Sequence, residues 1–265
     1  GDVQHWWLPH DGSGVRTHIS DDRVWLAYAT AQYVALTGDR AILDVELPFI
    51  EGPPLPRERH DAFFQPQVSH QTASLFEHCR RGLEGAHLGT HGLPLIGTGD
   101  WNDGMNRVGE HGRGESVWLG WFLHATLNAF APLAQARGEL ALATAWLGEA
   151  SKLRAALETH AWDGEWYRRG FFDDGTPLGS ASNDECRIDA IAQSWSVISG
   201  AAQPQRAEKA MQSLETHLLR RDPPLAVLFT PPFERSMQEP GYVKAYPKGI
   251  RENGGQYTHA ATWMV

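Results

Sequence analysis

Asp100, Trp101, Asn102 and Asp103 set two carboxylates and an indole within one short run, inside a glycine-rich loop from Gly97 to Glu115. A carboxyl group beside an indole is shielded from water, and desolvation raises its pKa. A raised pKa suits a general acid that must donate a proton near neutral pH. Gly104 follows directly and would let backbone approach a bulky ligand. The same residues also spell a turn, because Asn and Asp before Gly are common turn chemistry. The motif alone leaves both readings open. A long glycine-rich loop is costly to order, which favours a loop with a task.

Two further stretches carry chemistry. In "GVRTHISDD" (Gly14 to Asp22), Arg16 can donate and Asp22 accept hydrogen bonds from a vicinal diol. Asp21 and Asp22 also suit the start of a helix, where the dipole favours negative charge, and that reading is preferred for Asp21. In "YPKGIRENGGQYTHAATW" (Tyr246 to Trp263), glycine-turn amides with Arg251 and His259 make a plausible anion site. A glycine-rich turn with a capping histidine is the alternative there. Neither HExxH nor HxxEH occurs, and GxSxG, a Walker loop and a dinucleotide fingerprint are also missing. No metal signature stands out among the scattered histidines.

Helices must position these stretches. Apolar spacing predicts helices over Asp22–Thr37, Ser69–Leu83, Glu115–Ala136, Glu139–His160, Asn183–Gly200 and Gln205–Leu219. Ser20 or Asp21 would start the first and Gly38 end it, and Pro132 would kink or bound the third. Cys79 and Cys186 both fall in helical patterns. "AVLFTPPF" and "WYRRGFF" read as short strands or extended loops, and "EGPPLPRER" (Glu51 to Arg59) as a surface loop. The order is helix, long loop, helix, short turn, helix. That is the writing of an all-α toroid whose elaborated loops gather at one mouth.

Composition narrows the class. Hydrophobic residues make up 42% of 265, enough for a large core. A net charge of −9 without basic runs argues against a nucleic-acid partner. No apolar run reaches the roughly 18 residues that span a membrane. Two distant cysteines fit a reduced compartment. Eleven tryptophans raise the prospect of sugar stacking, with burial in the core as the plain alternative. The apolar run opened by "YTHAATWMV" stops at Val265, as expected of a piece of a longer protein.

Together, "GVRTHISDD", "GLPLIGTGDWNDGMNRVGEHGRGESVWLGWF", "SNDECRIDAIAQSWSVISGA", "LFTPPF" and "GYVKAYPKGIRENGGQYTHAATW" resemble glycoside hydrolase family 94. These are inverting phosphorylases of β-linked glucosides, such as cellobiose and chitobiose phosphorylases. The resemblance is greatest to the phosphorylase-like C-terminal region of cyclic β-1,2-glucan synthases and to 1,2-β-oligoglucan phosphorylases. It implies an (α/α)6 barrel beside an N-terminal β-sandwich. Residues 1–265 would be the central part of that single barrel, with the sandwich and the barrel's C-terminal end lying outside the chain.

The resemblance also implies roles. Asp103 would be the general acid, and Trp101 would line the donor-sugar subsite. Arg16 and Asp22 would hold hydroxyls of the same sugar. Tyr246, Arg251 and Glu252 would contact the sugars on either side of the scissile bond, although many relatives carry lysine where Arg251 stands. His259 would bind phosphate, and Asp100 would support or cap. The partners would be a β-glucan oligosaccharide, with β-1,2 linkage taken from the subgroup, and inorganic phosphate as co-substrate. No cofactor or metal is implied.

A phosphorylase needs only the acid, since phosphate is already an anionic nucleophile, and it releases an α-sugar 1-phosphate. Other phosphate contacts would come from a loop beyond Val265 and an arginine of the N-terminal domain. The 265 residues alone are therefore expected to turn over little or nothing. An incomplete barrel exposes apolar helix faces, which predicts either a homodimer or aggregation. The expected location is cytoplasmic, the parent being either a stand-alone phosphorylase or an inner-membrane synthase. Two other readings compete. An inverting hydrolase needs a second carboxylate roughly 6.5–9.5 Å from Asp103, for which Glu252 or Asp189 would serve. A non-catalytic glucan-binding module would keep Trp101, Arg16 and Asp22 but tolerate Asp103→Asn.

Overall fold

In Asp22–Thr37 (α1), Val24, Ala27, Ala31 and Val34 recur at helical spacing and are buried together. Gly38 ends it at φ 74°, donating its N–H to the Val34 carbonyl. The computed structural model describes residues 3–56 and 58–265. Arg57, within the expected surface loop Glu51 to Arg59, lies outside them, as do the first two residues.

Among the described residues, six more α-helices follow: Leu75–Glu84 (α2), Val117–Ala136 (α3), Leu140–Ala156 (α4), Ala190–Ile198 (α5), Pro204–Leu218 (α6) and Thr258–Thr262 (α7). Each odd helix packs on the even helix after it, α1 on α2, α3 on α4 and α5 on α6. The odd helices also contact one another in sequence, α1 to α3 to α5 to α7. The result is an inner layer backed by an outer one. Helix α3 is apolar nearly all round and buries Trp118, Trp121, Phe122 and Phe130, as an inner helix must. Aromatic rings from the inner layer meet at its centre. Trp25 lies 4.4 Å from Phe122, Trp118 6.2 Å from Trp195, and Trp195 5.3 Å from Trp263, between ring centroids.

The all-α expectation needs correction, because helix accounts for 41% and strand for 19%. Strands Gln4–Trp7 (β1), Gly14–Thr17 (β2), Glu46–Glu51 (β3), Asp61–Phe64 (β4) and Gln67–Ser74 (β5) form two antiparallel sheets, ordered β1-β2-β4 and β3-β5. Two expected helices are shorter than the apolar spacing suggests. Residues 67–74 pair with β3, and Ser74, accepting the Glu77 N–H, starts α2 only there. Residues 183–189 are not helical. Asp189 caps α5 by accepting the Ile191 N–H at 2.9 Å, and Ile188–Asp189 pairs with Phe229–Thr230. Cys186 therefore lies in a loop at φ 48° rather than in a helix. The chain from Glu139 to His160 is α4 continued by a π turn over Leu157–Ala161. Pro132 is accommodated inside α3.

Candidate active site

The N-termini of α1, α3 and α5 meet around a buried ion network. Arg169, fully buried, donates to both oxygens of Asp100, at 2.7 Å to Oδ2 and 2.5 Å to Oδ1. The Ser116 hydroxyl, which caps α3 through the Leu119 N–H, donates to Asp100 Oδ2 at 2.6 Å. Arg169 Nε lies 3.4 Å from Asp189, the cap of α5. Burial pushes Asp189 up to about 6 against the pull of Arg169. Burial would also lower the Arg169 pKa, but Asp100 and Asp189 outweigh it and raise it. Asp100 is thus a supporting residue that fixes the loop to two inner helices.

Backbone contacts stitch the same loop to its neighbours. The Thr98 N–H donates to His18 O at 3.3 Å, the Ser20 N–H to Gly99 O at 3.0 Å, and the Arg107 N–H to Pro240 O at 3.2 Å. Asp173 accepts N–H bonds from His111, Arg113 and Gly114 at 2.8–2.9 Å. Glycine is required where these backbones touch. At Gly97, φ is 61° and a Cβ would sit 2.3 Å from His18 O. At Gly104 a Cβ would meet Val243 at 2.9 Å, so packing also requires glycine there. These stitches bring all three chemistry-bearing stretches together.

Asp103 opens a short 3-10 turn (Asp103–Met105) on the rim, its side chain 40% exposed. Trp101 does not shield it in the way the motif suggests, because that indole turns to His259. The neighbours of Asp103 are instead Tyr242 and His5. Tyr242 is raised in pKa by burial and then by the Asp103 charge, so its phenol keeps its proton and donates. His5 Nε2 lies 3.9 Å from Asp103 Oδ2, and its Nδ1–H donates to both oxygens of Asp22 at 3.0 and 3.1 Å. Thr17 Oγ1 donates to Asp22 Oδ2 at 3.2 Å. Arg16 and Asp22 each bind protein groups of their own. Arg16 reaches the carbonyls of Gly52 (3.3 Å) and Pro53, with its guanidinium 5.3 Å from the Phe64 ring centroid.

Trp101 Nε1–H donates to His259 Nδ1 at 3.1 Å. The remaining ring proton of neutral His259 is then on Nε2, as a donor. Burial lowers the His259 pKa, which keeps that neutral form. Tyr257 and Trp263 pack on Trp101 at 5.4 and 5.7 Å. On the adjoining turn, Arg251 adopts φ 50°, stacks on Tyr246 at 4.5 Å, and places Nε 3.2 Å from the Glu252 carboxylate. Glu252 is only 7% exposed, and its charge, after burial, raises Tyr257. Asn253 holds the turn, donating to Tyr246 O at 2.8 Å and to Phe233 O at 3.0 Å.

Asp21, read as a dipole-favoured helix residue, does something else. It occupies the N-cap of α1 without a capping bond and is buried, accepting only the Trp25 Nε1–H at 2.8 Å. Burial, then Asp100 and Asp22, push its pKa up to about 8. Unfolded, the carboxyl gives up its proton near 3.8. Between these values the folded state binds more protons, so stability falls as pH rises across that window. Asp21→Asn mimics the protonated acid and removes the penalty, which is on the order of a few kcal/mol. The melting-temperature gain of the variant is expected to be clearly larger at pH 8 than at pH 5.

Sequence reasoning missed His5, Tyr242, Arg169 and Asp173. Tyr242 had a signal, lying in "GYVKAYPKG" beside the third stretch. Lone residues such as Arg169 carried none, because only the fold brings them to Asp100.

Residues 4–265 match the family described as "Glycosyl hydrolase 94 superfamily, catalytic domain". The chain is 56% identical over 267 residues to the cyclic beta-(1,2)-glucan synthase NdvB of Rhizobium meliloti (strain 1021), covering all of this chain and 9% of that protein. It is 32% identical to a solabiose phosphorylase of Paenibacillus borealis, covering 98% of this chain and 31% of the relative. It is 29% identical to an N,N'-diacetylchitobiose phosphorylase of Vibrio proteolyticus, covering 94% and 29%. The chain spans less than a third of the length of each of these relatives. With its matched length running almost from end to end, the chain belongs to the glycosyl hydrolase 94 superfamily and matches its catalytic domain.

Proposed function

We propose that this chain carries the general-acid face of an inverting phosphorylase that cleaves β-glucosides, with β-1,2-glucan as the substrate class. One observation carries the reading. Asp103 is open on the rim, whereas Asp100, Asp189 and Glu252 are buried and engaged by Arg169 or Arg251. Among the described residues, the two carboxylates weighed as a base, Asp189 and Glu252, each lie against an arginine, which suits an attacking group that needs no base. Inverting hydrolysis needs a base to activate water, and Asp189 beneath Arg169 is out of reach for that role.

In this reading Asp103 protonates the glycosidic oxygen while phosphate attacks the anomeric carbon from the other face. The C1–O bond to the leaving sugar breaks, a C1–O–P bond forms, and α-glucose 1-phosphate leaves with inverted configuration. His259 Nε2–H faces the phosphate. Trp101, braced by Tyr257 and Trp263, lines the donor sugar with Asp22 and Arg16, and Tyr246, Arg251 and Glu252 line the sugars around the scissile bond. The paired inner and outer helices support an (α/α)6 barrel of which these residues form the central portion. The test uses the full-length parent with β-1,2-gluco-oligosaccharides, with and without inorganic phosphate. Glucose 1-phosphate is expected only with phosphate. Release of free glucose at equal rates without it would give the reading to hydrolysis.

A further inference from the structure

We infer that His5 is a positioning residue for the proton of Asp103: it links the acid to Asp22 and returns a proton to it after each turnover. The inference rests on the general-acid reading above and adds a second group to it. Three observations lead to it. His5 stands between two carboxylates, with Nδ1–H on Asp22 and Nε2 3.9 Å from Asp103. A turn of the exposed Asp103 side chain closes that span to hydrogen-bond distance. Asp22 is itself braced by Thr17, so the ring is aimed rather than loose. Finally, the His5 side chain is 29% exposed, so solvent reaches it.

Among the described residues, the charges that act on His5 are Asp22 and Asp21 at the start of α1 and Asp103 on its loop. Asp22 raises the His5 pKa, chiefly through its hydrogen bond, and Asp103 adds to this. The ring therefore holds its second proton to a higher pH than a free histidine does. The proton count closes. Asp103 gives its proton to the glycosidic oxygen and is left as carboxylate. Protonated His5 passes the Nε2 proton to that carboxylate, and Nδ1–H stays on Asp22. The neutral ring then takes a proton from a solvent acid, water or buffer. One proton reaches the leaving sugar and one is drawn from solvent. Because Asp22 is also assigned to the donor sugar, sugar binding and proton return share one carboxylate.

The experiment is done on the full-length parent with phosphate and β-1,2-gluco-oligosaccharide. His5→Gln keeps a hydrogen-bond donor toward Asp22 but cannot carry a proton. Its kcat is expected to fall at least tenfold with KM for the glucan within about twofold. The alkaline limb of the kcat–pH profile should move to lower pH. In His5→Ala, added imidazole should restore kcat in proportion to its concentration, more strongly below pH 7 than above it. If His5→Gln keeps wild-type kcat and pH profile, or if imidazole rescues equally at all pH values, His5 is only structural and the inference fails. Wild-type protein and Asp103→Asn are run alongside. If wild type gives no glucose 1-phosphate, or Asp103→Asn remains active, the general-acid reading falls and takes this inference with it.

Discussion

Asp103→Asn in the full-length parent is expected to lower kcat for glucan phosphorolysis by about 10²–10⁴-fold, the usual worth of general-acid catalysis. The KM for the glucan should hardly change. The substitution is isosteric, so the 3-10 turn and the Tyr242 contact can persist, and Asn102 and Gly104 keep their buried positions. Only the proton is lost. No neighbour can replace it directly: the Tyr242 phenol is raised in pKa, and His5 Nε2 stands 3.9 Å behind the carboxylate. An interaction made only in the transition state removes kcat and kcat/KM together. A donor whose leaving group needs no proton, such as β-glucosyl fluoride, should show a much smaller loss. Fluoride release in the presence of phosphate measures this. A variant equally impaired with both donors has lost geometry instead of a proton. A variant unimpaired with either returns the site to a non-catalytic glucan-binding role.

How far the sequence foretold this arrangement depends on what kind of signal each part left. Helix α1 was legible to the residue, because its apolar stripe, acidic start and Gly38 stop all agree. The stretch 67–74 was misread because apolar spacing cannot tell a short exposed strand from a helix start, and its partner β3 lies far back in the chain. Residues 183–189 carried helical composition, yet the pairing with Phe229–Thr230 overrides it. At the site, the motif singled out the loop and Asp103, but its local reading did not foresee their neighbours. Trp101 braces His259, and the glycines let backbone strands touch one another. The groups that flank Asp103, His5 and Tyr242, lie 98 residues before it and 139 after it by number, and no local pattern could join them.

Arg169→Met should be strongly destabilising. It removes the cation from between two buried carboxylates, Asp100 and Asp189, and breaking a buried pair in this way costs about 3–5 kcal/mol. For a domain of this size the melting temperature should fall by roughly 6–20 °C. Activity should fall with it, because Asp100 is what holds the Asp103 loop to the caps of α3 and α5. The two effects can be separated. Adding Asp100→Asn and Asp189→Asn removes the stranded charges while keeping acceptors for the Asn102 and Ile191 amides. Neutralising the whole set in this way should recover most of the melting temperature, as apolar replacements of buried ion networks often do. It should not recover kcat, since the bidentate clamp on the loop is still gone. If the triple variant regains both, the network serves stability alone. If it regains the melting temperature but not kcat, the buried arginine is there to aim Asp103.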